Sequence, residues 1–223
     1  MDGDPRVNAM LFWGMYESAE IRFVRRYLGD DLDVVELGSS LGGVSCEIAK
    51  KLAGRRKLIC IEANSQVFPL LQRNVTRNAP AGQAACFVWG AVDYSGCSEV
   101  ELSVGDSNLS SKLGGAAAQN LVVPVVTLSA ILAKSNVGDY ALVADIEGAE
   151  AGLFFHDAPA LARCYKIVIE LHNTVYEEKN YSVDDLIALI ENSTDMTLSD
   201  RYGPVCLFQR KNSNISAVEN ESS

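Results

Sequence analysis

Short runs of aliphatic and β-branched residues recur along the chain, each about one strand long, separated by stretches with helical spacing. Residues 33 to 37 and 57 to 62 are nearly continuous apolar runs, and 140 to 145 and 166 to 171 repeat the form. Runs without polar alternation are buried on both faces, the pattern of parallel strands covered by helices. Between them, 43–53, 65–78 and 128–135 space their apolar residues as helices do. Ser182, with Asp185 three residues on, caps a further helix over 182–193. Residues 9 to 28 show the same spacing among charges and predict a leading helical segment that covers the sheet or the site.

A third strand is expected over 85–92 and a half-exposed one over the alternating residues 98 to 104. Pro124 interrupts Val122 to Thr127; lacking an N–H, it assigns that strand to an edge. Residues 105 to 120, rich in Gly, Ser, Ala and Asn, read as a mobile insertion. The last elements are strands at 195–200 and 205–210, joined as a hairpin by Tyr202-Gly203-Pro204, before a polar tail at 211–223 that reads as disordered. The whole alternation defines an α/β fold.

The first strand carries the first chemistry. It ends Val34-Val-Glu36-Leu-Gly38-Ser39-Ser40-Leu-Gly42-Gly43, an acid and then a glycine-rich bend that opens a helix. Glycine lets backbone approach closely at such a bend, and the helix start aims free N–H groups outward. The second strand ends in Glu62, 20 residues after Gly42, where a carboxylate can accept both hydroxyls of a ribose. Dinucleotides and S-adenosylmethionine both use this geometry. The bend lacks the G-x-G-x-x-G spacing that pyrophosphate needs, and Glu36 repels phosphate while suiting the amino group of a methionine moiety. S-adenosylmethionine is therefore the expected cofactor. The end of the third strand should pass near its adenine.

Composition narrows the class. With 223 residues, 48% of them hydrophobic, the chain can build one core without a second domain. A net charge of −10 argues against electrostatic binding to nucleic acid. The six cysteines form no C-x-x-C pair and read as reduced core residues. Neither a signal segment nor an 18-residue apolar stretch is evident, so no membrane insertion is expected and a cytoplasmic location is.

Charge gathers at two further strand ends, Asp145-Ile-Glu147-Gly148-Ala-Glu150 and Glu170-Leu-His172. Open α/β sheets bind ligands at the carboxyl ends of their strands. A sulfonium methyl is already activated, so an enzyme must align the acceptor oxygen and assist loss of its proton, work for a carboxylate or an imidazole. Asp145, Glu147, Glu170 and His172 are the catalytic candidates. Glu150 reads instead as a helix N-terminal acid serving the dipole. Asp145, Glu170 and His172 also carry donors able to hold a divalent metal, but nothing in their spacing requires one and no metal ligand is assigned.

These residues, with Ile61-Glu62, Asn74, Gly90-Ala91-Val92, Val125-Val-Thr-Leu128 and Ile169-Glu-Leu-His172, resemble the FkbM family of methyltransferases over roughly 33 to 210. The Asp-x-Glu-Gly-x-Glu segment is the most specific part. The resemblance implies a class I methyltransferase, a Rossmann-like three-layer sandwich whose mostly parallel seven-strand sheet, of order 3-2-1-4-5-7-6, closes with an antiparallel hairpin. It also implies methyl transfer to a hydroxyl of a sugar, glycolipid or secondary metabolite. The implied cofactor contacts are Glu36, Gly38, Ser39, Ser40, Gly42, Glu62, Ala63, Ala91, Val92 and Asp145. Ser39-Ser40 departs from the family's usual Ala-Asn, and Ser129 stands where an acid is usual. The implied domain covers 31–210, after a leading segment at 1–30 and before the tail at 211–223.

Two other readings stay open. Tyr176-Glu-Glu-Lys179 matches the Tyr-x-x-x-Lys pattern of short-chain NAD(P)-dependent dehydrogenases, although Arg163 stands where that family has a Ser and Val44 where its last loop glycine falls. A methyltransferase-like fold that only binds a partner is the third. The acceptor is not legible; Trp13, Tyr16 and Trp89 could stack on a sugar ring or sit in the core.

Overall fold

Seven strands form a central sheet in which the runs read from the sequence lie side by side. The computed structural model describes residues 19–104, 111–113 and 119–211. The beginning of the leading segment with Trp13 and Tyr16, most of 105–120 and the tail after 211 lie outside them. In chain order the elements are α1 (Ala19–Tyr27), β1 (Asp33–Leu37), α2 (Gly43–Leu52), β2 (Leu58–Glu62), α3 (Phe68–Asn78), β3 (Ala85–Trp89), β4 (Ala91–Val92), β5 (Glu99–Val104), β6 (Ser111–Leu113) and β7 (Gln119–Val126). Then follow α4 (Leu128–Ser135), β8 (Tyr140–Ala144), α5 (Glu150–His156), a 3-10 turn (Ala158–Arg163), β9 (Cys164–Glu170), β10 (Thr174–Tyr176), β11 (Lys179–Tyr181), α6 (Val183–Ser193), β12 (Met196–Tyr202) and β13 (Val205–Arg210).

The sheet runs β12-β13-β9-β8-β1-β2-β3. Counting only its own strands, this is the order 3-2-1-4-5-7-6. The pairs β1–β2, β1–β8, β2–β3 and β8–β9 are parallel, and β13 joins β9 and β12 antiparallel. Strand alternation divides the core into two layers. Val35, Leu37, Ile59, Ile61, Leu142 and Ala144 face one. Val34, Leu58, Cys60, Ala141 and Val143 face the other, beneath α1, α2 and α3. Every residue of β1, β2 and β8 is buried, as unbroken apolar runs require.

Two expectations about elements change, and one element appears that the sequence did not announce. The strand expected over 85–92 breaks at Gly90, where a β-carbon would lie 2.8 Å from Val126 Cγ1 and 3.1 Å from the Pro124 carbonyl oxygen. Beyond it β4 leaves for a second sheet of order β4-β7-β5-β6. The strand bearing Pro124 is internal to that sheet, not at an edge. Val125 N–H donates to the Ser98 carbonyl at 2.9 Å, so the missing donor at Pro124 faces the β4 side, where pairing begins only at Val125. The segment 174–181 forms a hairpin, β10–β11, that turns through Glu177 and Glu178, both with positive φ.

The cysteines are all free, but Cys86 and Cys97 are exposed, contrary to a core role for all six. Cys86 lies on β3, the outermost strand of the sheet, and Cys97 in the turn before β5. The expected helix over 182–193 carries a complete capping box between Ser182 and Asp185.

Gly38 shapes the site. Its φ is +84°, and a β-carbon would lie 1.8 Å from the carbonyl oxygen of Asp145. Gly38→Ala should therefore destabilise the protein by about 2–4 kcal/mol, through backbone strain and displacement of β8. Gly43→Ala, with nothing within 4 Å of the added carbon, should be neutral or slightly stabilising. Equal guanidinium unfolding midpoints for the two variants would contradict this account.

Candidate active site

The loop after β1 is tied down by its own acids. Gly38 and Ser39 N–H groups donate to the Ile61 carbonyl at 3.0 and 2.9 Å, and Gly42 N–H to the Ser39 carbonyl at 2.8 Å. Glu36 is buried and accepts from Ser39 Oγ at 3.0 Å and Ser45 Oγ at 2.5 Å. Burial pushes its carboxyl up to about 7 against the pull of those two hydroxyls. The Ser39 hydroxyl thus serves the acid at the start of its own loop.

Glu62, at the end of β2, reaches back to the same loop. One carboxylate oxygen accepts from Ser40 N–H at 2.7 Å and the other from Asn64 N–H at 2.6 Å. Burial raises its carboxyl and the backbone donors oppose the rise. Ser40 has a φ of +46°, left-handed backbone uncommon for a non-glycine residue. Asn74 on α3 donates to the Leu41 carbonyl at 2.9 Å, fixing the loop from the other side. Gly42, also left-handed, lets α2 start against Leu71 and Val75 of α3; its β-carbon would lie 3.0 and 3.1 Å from them.

The remaining cofactor candidates sit differently. Ala91 and Val92 are buried in core clusters, leaving mainly their backbone to face a ligand. Ala63 is half-buried, and its carbonyl accepts from Trp89 Nε1 at 2.9 Å. Trp89 is 41% exposed at the end of β3, so it is not a core residue.

Across the β1–β8 boundary the second set converges. Asp145 N–H donates to the Leu37 carbonyl at 2.9 Å, carrying β8 one residue past its strand to the level of the glycine loop. Glu147 (φ +51°) and Gly148 (φ +106°) then turn the chain into α5. Thr174 Oγ1 secures this turn by donating to the Gly148 carbonyl at 2.9 Å. His172 Nε2 lies 3.9 Å from Asp145 Oδ1, 3.8 Å from Glu147 Oε2 and 3.9 Å from Glu170 Oε1. The four residues read from two separate strand ends form one group.

Glu150 begins α5 but is fully buried, and its Oε1 lies 2.8 Å from His172 Nδ1. Glu150 stands in the first turn of its helix, as a helix N-terminal acid, and its burial also makes it the partner of an imidazole. Because an ionised carboxylate only accepts, Nδ1 carries the proton and Nε2 faces the acids. The Glu150 hydrogen bond, more than the surrounding acids, raises His172 to about 9. Burial, then Glu170, raises Asp145 to about 7, and its Oδ1 is buried without a hydrogen-bond partner.

The sequence reading missed Ser45, Asn64 and Glu20. Ser45 and Asn64 are ordinary residues whose roles arise only when β1 and β2 lie together. Glu20 had a signal: it precedes Phe23 and Val24 by three and four residues, which sets an acid on the apolar stripe of α1. It is 8% exposed, and burial, with Asp145 and Glu170, raises its carboxyl well above the usual range.

The dehydrogenase reading does not survive the geometry. Tyr176 and Lys179 flank the β10–β11 turn; Lys179 Nζ lies 4.7 Å above the Tyr181 ring, and the Tyr176 hydroxyl is raised by burial. Tyr176 contacts His156 Nε2 at 2.5 Å, and Arg163 pairs with Asp139 at 3.2 Å. No lysine-activated tyrosine is assembled.

Strand order and a ligand edge at the carboxyl ends of β1, β2 and β8 define a Rossmann-like methyltransferase architecture. A protein of the NADB-Rossmann superfamily from Streptococcus agalactiae is 12% identical, with a TM-score of 0.55 over 89% of this chain and 71% of its own. An uncharacterized protein from Listeria monocytogenes serotype 4b is 12% identical, with a TM-score of 0.52 over 91% and 71%. At such identities the likeness is one of fold. No curated protein matches the chain. Residues 42–196 match the family described as the methyltransferase FkbM domain, more than half of the chain, and the chain belongs to that family of S-adenosylmethionine-dependent methyltransferases.

Glu36 yields a pH prediction. Its pKa is raised from 4.5 to about 7 in the folded state, so the native protein binds the extra proton. Its contribution is full below 4.5 and is lost as pH rises through about 7, which amounts to about 2–4 kcal/mol. Glu36→Gln should remove this part of the slope in urea titrations between pH 4.5 and 8. An unchanged slope would mean that the buried carboxyl titrates normally.

Proposed function

We propose that this chain methylates a hydroxyl of a small-molecule or glycan acceptor, in the range of sugars, glycolipids and secondary metabolites. The observation that carries this reading is the convergence of Asp145, Glu147 and Glu170 on His172 Nε2, beside the loop held by Glu36 and Glu62. In this reading the methyltransferase domain runs over 31–210, with 1–30 leading it.

The residues fit the cofactor. Asp145 Oδ1, buried and without a hydrogen bond, and the acids around it form an electronegative rim suited to a sulfonium and an ammonium group. S-adenosylmethionine supplies the activated methyl group when bound. Glu62, whose oxygens each keep a further lone pair after the Ser40 and Asn64 contacts, would hold the ribose. Glu36, Gly38, Ser39, Ser40 and Gly42 would shape the methionine side, Ala63, Ala91 and Val92 the adenine side, and Asp145 would border both cofactor and acceptor.

Asp145, Glu147, Glu170 and His172 would orient the acceptor hydroxyl, and an ionised carboxylate among them would take up its proton, since His172, raised to about 9, already carries a proton on each nitrogen near neutral pH. Glu150 acts through His172: fully buried, it fixes the ring and directs Nε2 toward the acceptor side. Six free cysteines support a reducing compartment, and we assign the enzyme to the cytoplasm. Among the described residues no helix is long and apolar enough to cross a membrane.

Calorimetric titration with S-adenosylmethionine should show Glu62→Ala weakened by about 1–3 kcal/mol, with its melting temperature close to wild type. Unchanged affinity would remove Glu62 from the cofactor site. On an acceptor found by screening sugars and glycolipids, His172→Ala should lower kcat far more than cofactor affinity. An equal loss of both would assign His172 to cofactor binding.

A further inference from the structure

Three carboxylates gather around one imidazole nitrogen at this edge. Resting on the methyltransferase reading of this edge, we propose that Asp145, Glu147 and His172, with Glu170 beside them, bind a divalent cation of the magnesium and manganese class on the acceptor side of the site. The ligand atoms of Asp145, Glu147 and His172 all lie within 4.8 Å of one another. Separations of 3.8 and 3.9 Å from Nε2 are too long for hydrogen bonds. They match donors arranged around a common centre, because ligands about 2.1 Å from one ion stand about 3.0 to 4.2 Å apart.

Three further observations point the same way. His172 has its Nδ1 against the fully buried Glu150 carboxylate at 2.8 Å, the arrangement that orients an imidazole whose other nitrogen binds metal. Asp145 Oδ1 is buried and accepts no hydrogen bond. Glu20, 8% exposed on α1, brings its carboxylate within 4.8 Å of Asp145 and Glu170, a second group that shares Asp145 with the first, and makes no hydrogen bond or ion pair among the described residues. A buried acid without a partner is costly, and a cation at the centre of the group would offset that cost.

The donor set selects the ion. Carboxylate oxygens with one imidazole and no thiolate favour a hard cation. Beside the acceptor, such an ion would lower the pKa of the hydroxyl to be methylated, and Glu170, outside the ligand set, would receive its proton.

The test uses the full chain, stripped with chelator, desalted and titrated with Mn2+ while free ion is followed by electron paramagnetic resonance. One Mn2+ should bind saturably, with affinity lowered at least about tenfold in Asp145→Asn and in Glu147→Gln. The half-exposed Glu147 keeps the test usable if Asp145→Asn fails to fold. Absence of saturable uptake, or uptake unchanged in the folded variants, would overturn the proposal. S-adenosylhomocysteine is titrated in parallel with chelator present. Cofactor binding without Mn2+ uptake refutes the cation site and leaves the methyltransferase reading intact. Uptake that depends on Asp145 or Glu147 without cofactor binding supports the cation site and refutes the cofactor site.

Discussion

Everything at the ligand edge depends on the missing β-carbon of Gly38. Its place is taken by the carbonyl oxygen of Asp145, 1.8 Å from where that carbon would stand. The contact lets β8 run one residue beyond its strand beside the β1 turn, with Asp145 N–H bonded to the Leu37 carbonyl. The glycine loop and the Asp145-Ile-Glu147-Gly148 turn therefore share one edge. A larger residue at 38 would force them apart, and the two halves of the site would no longer face each other.

That closeness creates an electrostatic problem which the fold solves only in part. Glu36 is quenched by two serine hydroxyls, Glu62 by two backbone amides and Glu150 by an imidazole. Asp145 and Glu20 are left with no comparable partner among the described residues. Carboxylates so placed sit above their ordinary pKa because burial disfavours their charge. Such an arrangement costs stability and is suited to receiving positive charge, which a sulfonium cofactor brings.

The sheet was legible because its strands are buried on both faces. Residues 33–37, 57–62 and 140–145 needed no tertiary knowledge, since an unbroken apolar run has few alternatives in an α/β chain. The break at Gly90 and the inward position of Pro124 were not legible, because both are set by which strand arrives next to them. Asp145, Glu147, Glu170 and His172 were recognised as strand-end residues, but their meeting around one nitrogen depends on β8 and β9 being neighbours. Glu150 was read as a helix-end acid because its burial is fixed by packing from outside α5, which no local pattern encodes.

The most direct test is a crystal structure of the protein with S-adenosylhomocysteine. The account predicts the ribose hydroxyls within hydrogen-bond distance of Glu62 and the thioether sulfur facing the group formed by Asp145 and His172. Ligand density elsewhere on the sheet, or a ribose turned away from Glu62, would contradict it.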